Sequence, residues 1–149
     1  AIDCASSSYT IDDFIDRYGS PKMHVQNDPA KEDFIKEFTD QVLSKTLTHI
    51  NPAKAVEVLQ ISLDEILDEL KIIKTQDILV KYLSHGAHML ERVIKKQPLD
   101  YYQLKRFTNQ NHNLMDIIAK SLTPAENMFD LSVPSSEIAY LAEIFLEGA

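Results

Sequence analysis

The chain has 149 residues, 44% of them apolar, which suffices for one compact core and is too few to expect two independent ones. Only three glycines and six prolines, beside many leucines, lysines and acidic residues, favour an all-α domain over a turn-rich β protein. The net charge of −8 argues against broad contact with nucleic acid. With no long apolar run and no secretory leader, the sequence predicts a cytoplasmic protein without membrane contact.

The first segment, residues 1–29, mixes serine, glycine and proline with one short apolar patch, so we predict a linker or arm. Cys4 is the single cysteine and cannot close an internal disulfide, and with neither a CxxC partner nor a histidine close in sequence we predict an exposed bystander, not a reactive thiol. Because the chain opens with Ala1 instead of methionine, we expect it to be a piece of a longer polypeptide.

A helix is predicted over residues 30–50, where large apolar residues recur at helical spacing. A second helix begins after Asn51, a suitable N-cap, with Pro52 at the first helical position, where its missing N–H costs nothing. From there to the end, residues 51–149 are predicted to form one helical domain.

Four further helical stretches follow in this domain. A third helix is predicted over residues 75–96, and Pro98 stops it. A fourth segment covers residues 100–107, and after the interruption "NQNHN" the helical period resumes over residues 114–122. The last helix opens at Pro134, with serines for capping and a glutamate near the positive end of the dipole. The predicted fold is all-α, a compact bundle of about five helices with an extra N-terminal helix and arm.

Two histidines, His85 and His88, lie three residues apart in "SHGAHMLERV", within the third predicted helix. At about 100° per residue, His85 falls about 120° from the apolar face of this helix and His88 about 180° from it. We therefore expect His85 on the flank of the core and His88 on the solvent side, in different environments. Lys81, Arg92 and Lys96 share the flank of His85, and such a cationic flank would favour a phosphoryl group.

The residues alone leave several interpretations of His85 open. A metal site needs three or four convergent ligands, whereas His-x-x-His supplies two and Glu91 lies far round the wheel, so we predict no metal and no cofactor. An acid/base enzyme needs a pocket with a perturbed group, and no glycine-rich loop, catalytic triad or carboxylate pair indicates one, so we predict no enzyme. A metal-binding bundle remains the weaker alternative, and a partly buried structural histidine the plainer one.

Three motifs, in order and at suitable spacing, resemble the PTS regulation domain (PRD), the helical regulatory module of the bacterial sugar phosphotransferase system. "LSHGAHMLERV" is similar to the family's histidine followed six and seven residues later by Glu-Arg. "YYQLKRFTNQ" resembles its Lys-Arg-Phe segment, and "LSVPSSEIAYLAEIF" its ending with Pro-x-x-Glu-Ile-Ala-Tyr. The resemblance covers the chain from Asn51 onward.

This resemblance implies a five-helix bundle, usually a homodimer, within a transcriptional regulator. In the family, histidines accept phosphate from the phosphocarrier HPr or from a sugar-specific EIIB component, and phosphorylation alters dimer packing. By position, His85 would be the phosphate acceptor, and His88 and His112 bystanders. The basic residues expected to neutralise the phosphate are Lys81, Arg92, Lys96 and Arg106.

The chain departs from the family pattern at two places. Ser84 stands where an acidic residue commonly precedes the histidine, and residues 142–144 lack the second histidine that many members carry in the last helix. We therefore expect a single-site copy, similar to the C-terminal copy in some AAA+-type activators that depend on sigma-54. The alternative is a PRD-like module that serves only dimerisation. Apolar residues beside breaks in the helical pattern are candidates for a dimer patch: Tyr101, Tyr102, Met128 and Phe129.

Overall fold

The structure is a computed structural model that describes the backbone of residues 29–147 and the side chains of residues 33–147. Within these ranges it contains helices and no strand, which confirms the all-α prediction. The first helix, α1, comprises Pro29–Phe38, a π-helical turn at Thr39–Leu43 and a last turn at Ser44–Thr46. Six more helices follow: α2 Pro52–Leu70, α3 Gln76–Ile94, α4 Leu104–Gln110, α5 His112–Ser121, α6 Thr123–Phe129 and α7 Ser135–Glu147. The predicted arm lies outside the described residues, apart from its last position.

The start of α2 has the geometry that the sequence predicts. The Asn51 side chain accepts a hydrogen bond from the backbone N–H of Lys54 at 3.1 Å, and Pro52 occupies the first turn. The next helix, α3, is capped in the same way, because the Thr75 hydroxyl accepts from the N–H of Ile78 at 3.3 Å. Side-chain oxygens at both positions satisfy N–H groups that have no partner inside the helix.

The second half of the domain differs from the prediction in detail. The predicted interruption "NQNHN" is reduced to Asn111, whose side-chain amide donates to the Phe107 carbonyl at 3.0 Å and closes α4. The helix α6 was not predicted. Its first turn contains Pro124, which is tolerated there because the missing N–H has no intrahelical partner.

The core forms where α3 packs between α2 and α7, and α5 closes it against the same two helices. Gly86 of α3 allows the close approach of α2, since a Cβ at this position would lie 2.7 Å from a methyl of Leu59. The N-terminal helix joins this core through fully or almost fully buried side chains: Phe34, Phe38, Val42 and Leu43. Residues 33–147 therefore share one hydrophobic core.

A chain of buried hydroxyls links three helices inside this core. Tyr82 lies 2.6 Å from the Ser62 hydroxyl, Ser62 lies 2.7 Å from Ser121, and Ser121 donates to the Ile118 carbonyl at 2.7 Å. Since a carbonyl only accepts, the direction is fixed: Tyr82 donates to Ser62, and Ser62 donates to Ser121. Burial raises the pKa of Tyr82 to about 12, so the phenol remains protonated and able to donate.

This direction predicts an asymmetric response to mutation. Ser62→Ala should lower the free energy of unfolding by about 1–3 kcal/mol, because it leaves the buried Tyr82 hydroxyl without an acceptor. Tyr82→Phe should cost less, about 1 kcal/mol, because Ser62 still donates to Ser121. Urea denaturation of both variants measures the difference, and a larger loss for Tyr82→Phe would contradict the direction of the chain.

The four residues considered for a dimer patch divide into two pairs. Tyr102 is 85% exposed and Met128 is 43% exposed. Tyr101 and Phe129 are partly buried and pack against the core, and the ring of Tyr101 lies 4.8 Å from that of Tyr140. Of these four residues, only Tyr102 and Met128 are therefore exposed enough to offer apolar surface to a partner. No helix in residues 29–147 combines the length and apolarity needed to cross a membrane.

Candidate functional site

A cleft of ≈ 690 Å³ opens between α3 and α7, with the end of α1 and the loop between α3 and α4 at its edges. The residues that α3 contributes recur every three or four positions, so one face of this helix forms a wall. The cleft is lined by Thr46, Lys81, Ser84, His85, His88, Met89, Arg92, Leu99, Glu137, Tyr140, Leu141, Glu143, Ile144 and Glu147. Both histidines, two cations and three carboxylates thus meet in one place.

His85 is partly buried in the wall of this cleft. Burial lowers the pKa of its imidazole from 6.5 to about 4, and the positive charges of Arg92 and Lys81 act in the same direction. Within the described part of the chain, neither ring nitrogen has a hydrogen-bond partner. The ring is therefore neutral near pH 7, and one of its nitrogens carries a lone pair that no group of residues 33–147 occupies.

The prediction that His88 faces solvent and has a different environment from His85 is wrong. His88 is partly buried and lines the same cleft. Its Nδ1 donates to the Ser84 carbonyl at 2.8 Å, so in the neutral ring Nε2 accepts from the Thr46 hydroxyl at 3.0 Å. The helical wheel of α3 places His88 opposite the main core correctly, but it contains no information about α1, which covers that side.

Two of the predicted phosphate neighbours flank His85 along α3. Lys81 lies one turn before it and forms an ion pair with Asp77 at 3.2 Å, with 40% of the lysine side chain exposed. Arg92 lies two turns after it and forms two hydrogen bonds with Glu137, at 2.9 and 2.8 Å. Both cations line the cleft, so each can contribute to the electrostatic potential at His85.

Lys96 and Arg106, the other two predicted phosphate neighbours, do not line the cleft. The prediction for Lys96 assumed a helix that continues to this residue, whereas α3 ends at Ile94 and Lys96 has a left-handed φ of 59°. Arg106 lies on α4 with its side chain exposed. The structure therefore brings together His85, Lys81 and Arg92 and leaves the other two cations apart.

Glu91 has a role that the sequence did not reveal. This buried carboxylate accepts hydrogen bonds from the backbone N–H groups of Thr48 and His49, both at 2.6 Å. It thereby attaches the connection between α1 and α2 to the histidine-bearing helix. The sequence shows only a glutamate next to a core face near the end of a helix. It does not identify the partners of Glu91, which lie more than 40 residues away in sequence.

Glu137 was predicted to stabilise the start of the last helix through its charge. The structure places it in the interior with 0% exposure, where it pairs with Arg92 and also accepts from the backbone N–H of Leu99 at 2.9 Å. Arg92, from the motif that contains His85, and Glu137, from the C-terminal motif, are thus direct partners. They connect α3, the following loop and α7 at the edge of the cleft.

The described side chains include no group of three or more histidine, cysteine or acidic residues that could hold a metal ion. His112 lies apart from the cleft, exposed, with Asp116 at 3.4 Å.

The Ser84 hydroxyl is buried at the cleft and has no hydrogen-bond partner within residues 33–147. The chemistry that this arrangement supports is therefore attack by the neutral imidazole of His85 on an electrophile beside two cations.

Comparison with known proteins matches residues 60–148 to the PRD domain family. The chain is also 28% identical over 113 residues to the transcriptional regulatory protein LevR of Bacillus subtilis (strain 168). That alignment covers 76% of this chain and 12% of the length of the relative. No solved structure matches the chain. Because the family match spans more than half of the sequence and includes the histidine cleft from Lys81 onward, the chain belongs to the PRD domain family.

Proposed function

We propose that the chain is a regulatory domain of a transcriptional regulator of the sigma-54-dependent type, controlled by the sugar phosphotransferase system through phosphorylation of His85. The phosphate donor would be HPr or a sugar-specific EIIB component. The observation that supports the proposal best is a neutral imidazole, without a protein hydrogen-bond partner in the described chain, between Lys81 and Arg92 in an open cleft. The relative from Bacillus subtilis is named as a transcriptional regulatory protein, in keeping with this role.

The proposed reaction is a transfer in which the domain is the substrate. The free lone pair of the His85 ring attacks the phosphorus atom, and an N–P bond forms. The P–N bond of a phosphohistidine donor, or the P–S bond of a phosphocysteine donor, breaks, and its electron pair returns to the donor. Because the lowered pKa keeps His85 neutral, no base has to remove a proton before the attack.

The phosphoryl group would change the charge of the cleft. It adds about −1.5 to −2 charges at neutral pH, where Glu137, Glu143 and Glu147 already line the walls. Lys81 and Arg92 would attract the new anion, while the carboxylates of α7 would be repelled. We propose that this imbalance shifts the packing of α7 against α3 and, through it, the packing of a homodimer.

A second candidate function is a PRD-like dimerisation module without phosphorylation. The specific observation in its favour is the set of three carboxylates in the cleft, which oppose a dianion. Ser84 adds to this, because it supplies no acidic partner for the neighbouring histidine. The two functions differ in whether the domain takes up phosphate at all.

Transfer of an acid-labile phosphate label from the phosphocarrier system distinguishes them. We expect the native domain and His88→Ala to be labelled, and His85→Ala to lose the label almost completely. His88→Ala is the matched control, since it removes an imidazole from the same helix and the same cleft. Full labelling of His85→Ala would exclude His85 as acceptor, and an unlabelled native domain would favour the dimerisation module.

A further inference from the structure

The guanidinium of Arg92 is held in a fixed orientation by Glu137. Arg92 Nε donates to Glu137 Oε2 at 2.9 Å, and Nη2 donates to Oε1 at 2.8 Å. The carboxylate is itself fixed, because it is fully buried and Oε2 also accepts from the backbone N–H of Leu99 at 2.9 Å. Two parallel hydrogen bonds to a fixed carboxylate define the plane of the guanidinium as well as its position.

This pairing leaves part of the guanidinium available. A guanidinium has five N–H groups, two of which are directed at Glu137. The remaining N–H groups have no partner among residues 33–147, and the Arg92 side chain keeps 30% of its surface exposed. Arg92 lies seven residues after His85 on α3, so the two residues share a helical face to within about 20°. The residue that carries these unused N–H groups, Arg92, therefore lines the same wall of the cleft as His85.

We propose that Glu137 is a positioning residue for phosphoryl transfer. It holds Arg92 so that the unused N–H groups bind the phosphoryl oxygens as the group moves onto His85. A guanidinium that is already oriented can donate two parallel hydrogen bonds to two phosphoryl oxygens. Its side chain does not have to become ordered during the transfer. This inference rests on the proposed phosphorylation of His85. Glu137 and Arg92 exchange no proton in the step, and the bonds made and broken are those of the transfer described above.

Lys81 does not have the same organisation. Its ammonium is a point charge on a flexible stem, and its partner Asp77 lies on the same helix at 3.2 Å. Lys81 can therefore contribute positive charge, whereas the Arg92–Glu137 pair also fixes the direction of the hydrogen-bond donors. The inference predicts that loss of Glu137 slows the transfer through Arg92.

The test compares initial rates of His85 phosphorylation in Glu137→Gln and Glu91→Gln. Both substitutions neutralise a buried carboxylate that accepts backbone N–H groups near α3, but only Glu137 contacts Arg92. Two donors are used, phosphorylated HPr and the small donor phosphoramidate, at a temperature where circular dichroism shows each variant folded. We expect Glu137→Gln to be about tenfold slower than the native domain with both donors, and Glu91→Gln to be unchanged.

A double variant separates positioning from a merely structural role. If Glu137 acts through Arg92, Arg92→Ala combined with Glu137→Gln should be no slower than Arg92→Ala alone. Native rates in Glu137→Gln, or an equal loss in Glu91→Gln, would overturn the inference. If Glu137→Gln does not fold, Arg92→Lys decides, since it keeps a cation without the paired donors and a native rate would overturn the inference. A native domain that neither donor labels would overturn the proposed function and this inference with it.

Discussion

Phe38→Ala should lower the free energy of unfolding by about 3–5 kcal/mol, although Phe38 lies outside the region that matches the family. Its side chain is fully buried, in the core cluster that also contains Leu59 and Leu83 of α2 and α3. Truncation would leave a cavity that the surrounding helices cannot fill completely. The expected loss is large because α1 packs as part of the domain core.

Urea unfolding monitored by circular dichroism measures this effect. Ile61→Ala is the matched control, because Ile61 is a large apolar residue of α2 with 52% exposure and should change stability by about 0.5 kcal/mol or less. A loss below about 1 kcal/mol for Phe38→Ala would show that α1 is not an integral part of the core.

Arg92→Ala should lower the free energy of unfolding by a similar amount, but through a different mechanism. The substitution leaves the carboxylate of Glu137 in the interior, with 0% exposure, without its cationic partner. Breaking a buried ion pair by removing one member costs about 3–5 kcal/mol, since the remaining charge keeps its desolvation penalty. The backbone N–H of Leu99 also donates to that carboxylate, but one N–H does not replace two charge-assisted bonds.

Lys81→Ala provides the control for Arg92→Ala. It removes a cation from the same helix and the same cleft, but its ion pair with Asp77 is partly exposed and should contribute about 1 kcal/mol or less. Thermal or urea unfolding of the two variants should therefore give clearly different losses. Equal losses would contradict the assignment of Arg92 and Glu137 as the principal ion pair between α3 and α7.

The sequence predicted those features that depend on neighbouring residues. The caps at Asn51 and Thr75 follow from local preferences, and the structure contains both. The core face of α3 follows from the helical period, and Tyr82 and Leu90 are fully buried as that period predicts. These properties are set within one or two helical turns, which is why a single sequence reveals them.

The features that the sequence did not predict depend on partners far away in the chain. His88 was assigned to solvent because the position of α1 over α3 is not encoded in the pattern of α3 itself. The partners of Glu91 and Glu137 lie about 40 residues away, so no local spacing identifies them. At the cleft, His85 and two of its four predicted cations, Lys81 and Arg92, were predictable from the sequence. The carboxylates that hold Arg92 and the α1 connection in place were not.

Mapping the phosphate on the native domain is the decisive test of His85 as the acceptor of the phosphoryl group. The domain is phosphorylated with HPr or EIIB, digested at neutral pH to preserve the N–P bond, and sequenced by tandem mass spectrometry. We expect phosphate on His85 and none on His88 or His112. Phosphate on either of those two residues, with His85 unmodified, would contradict it.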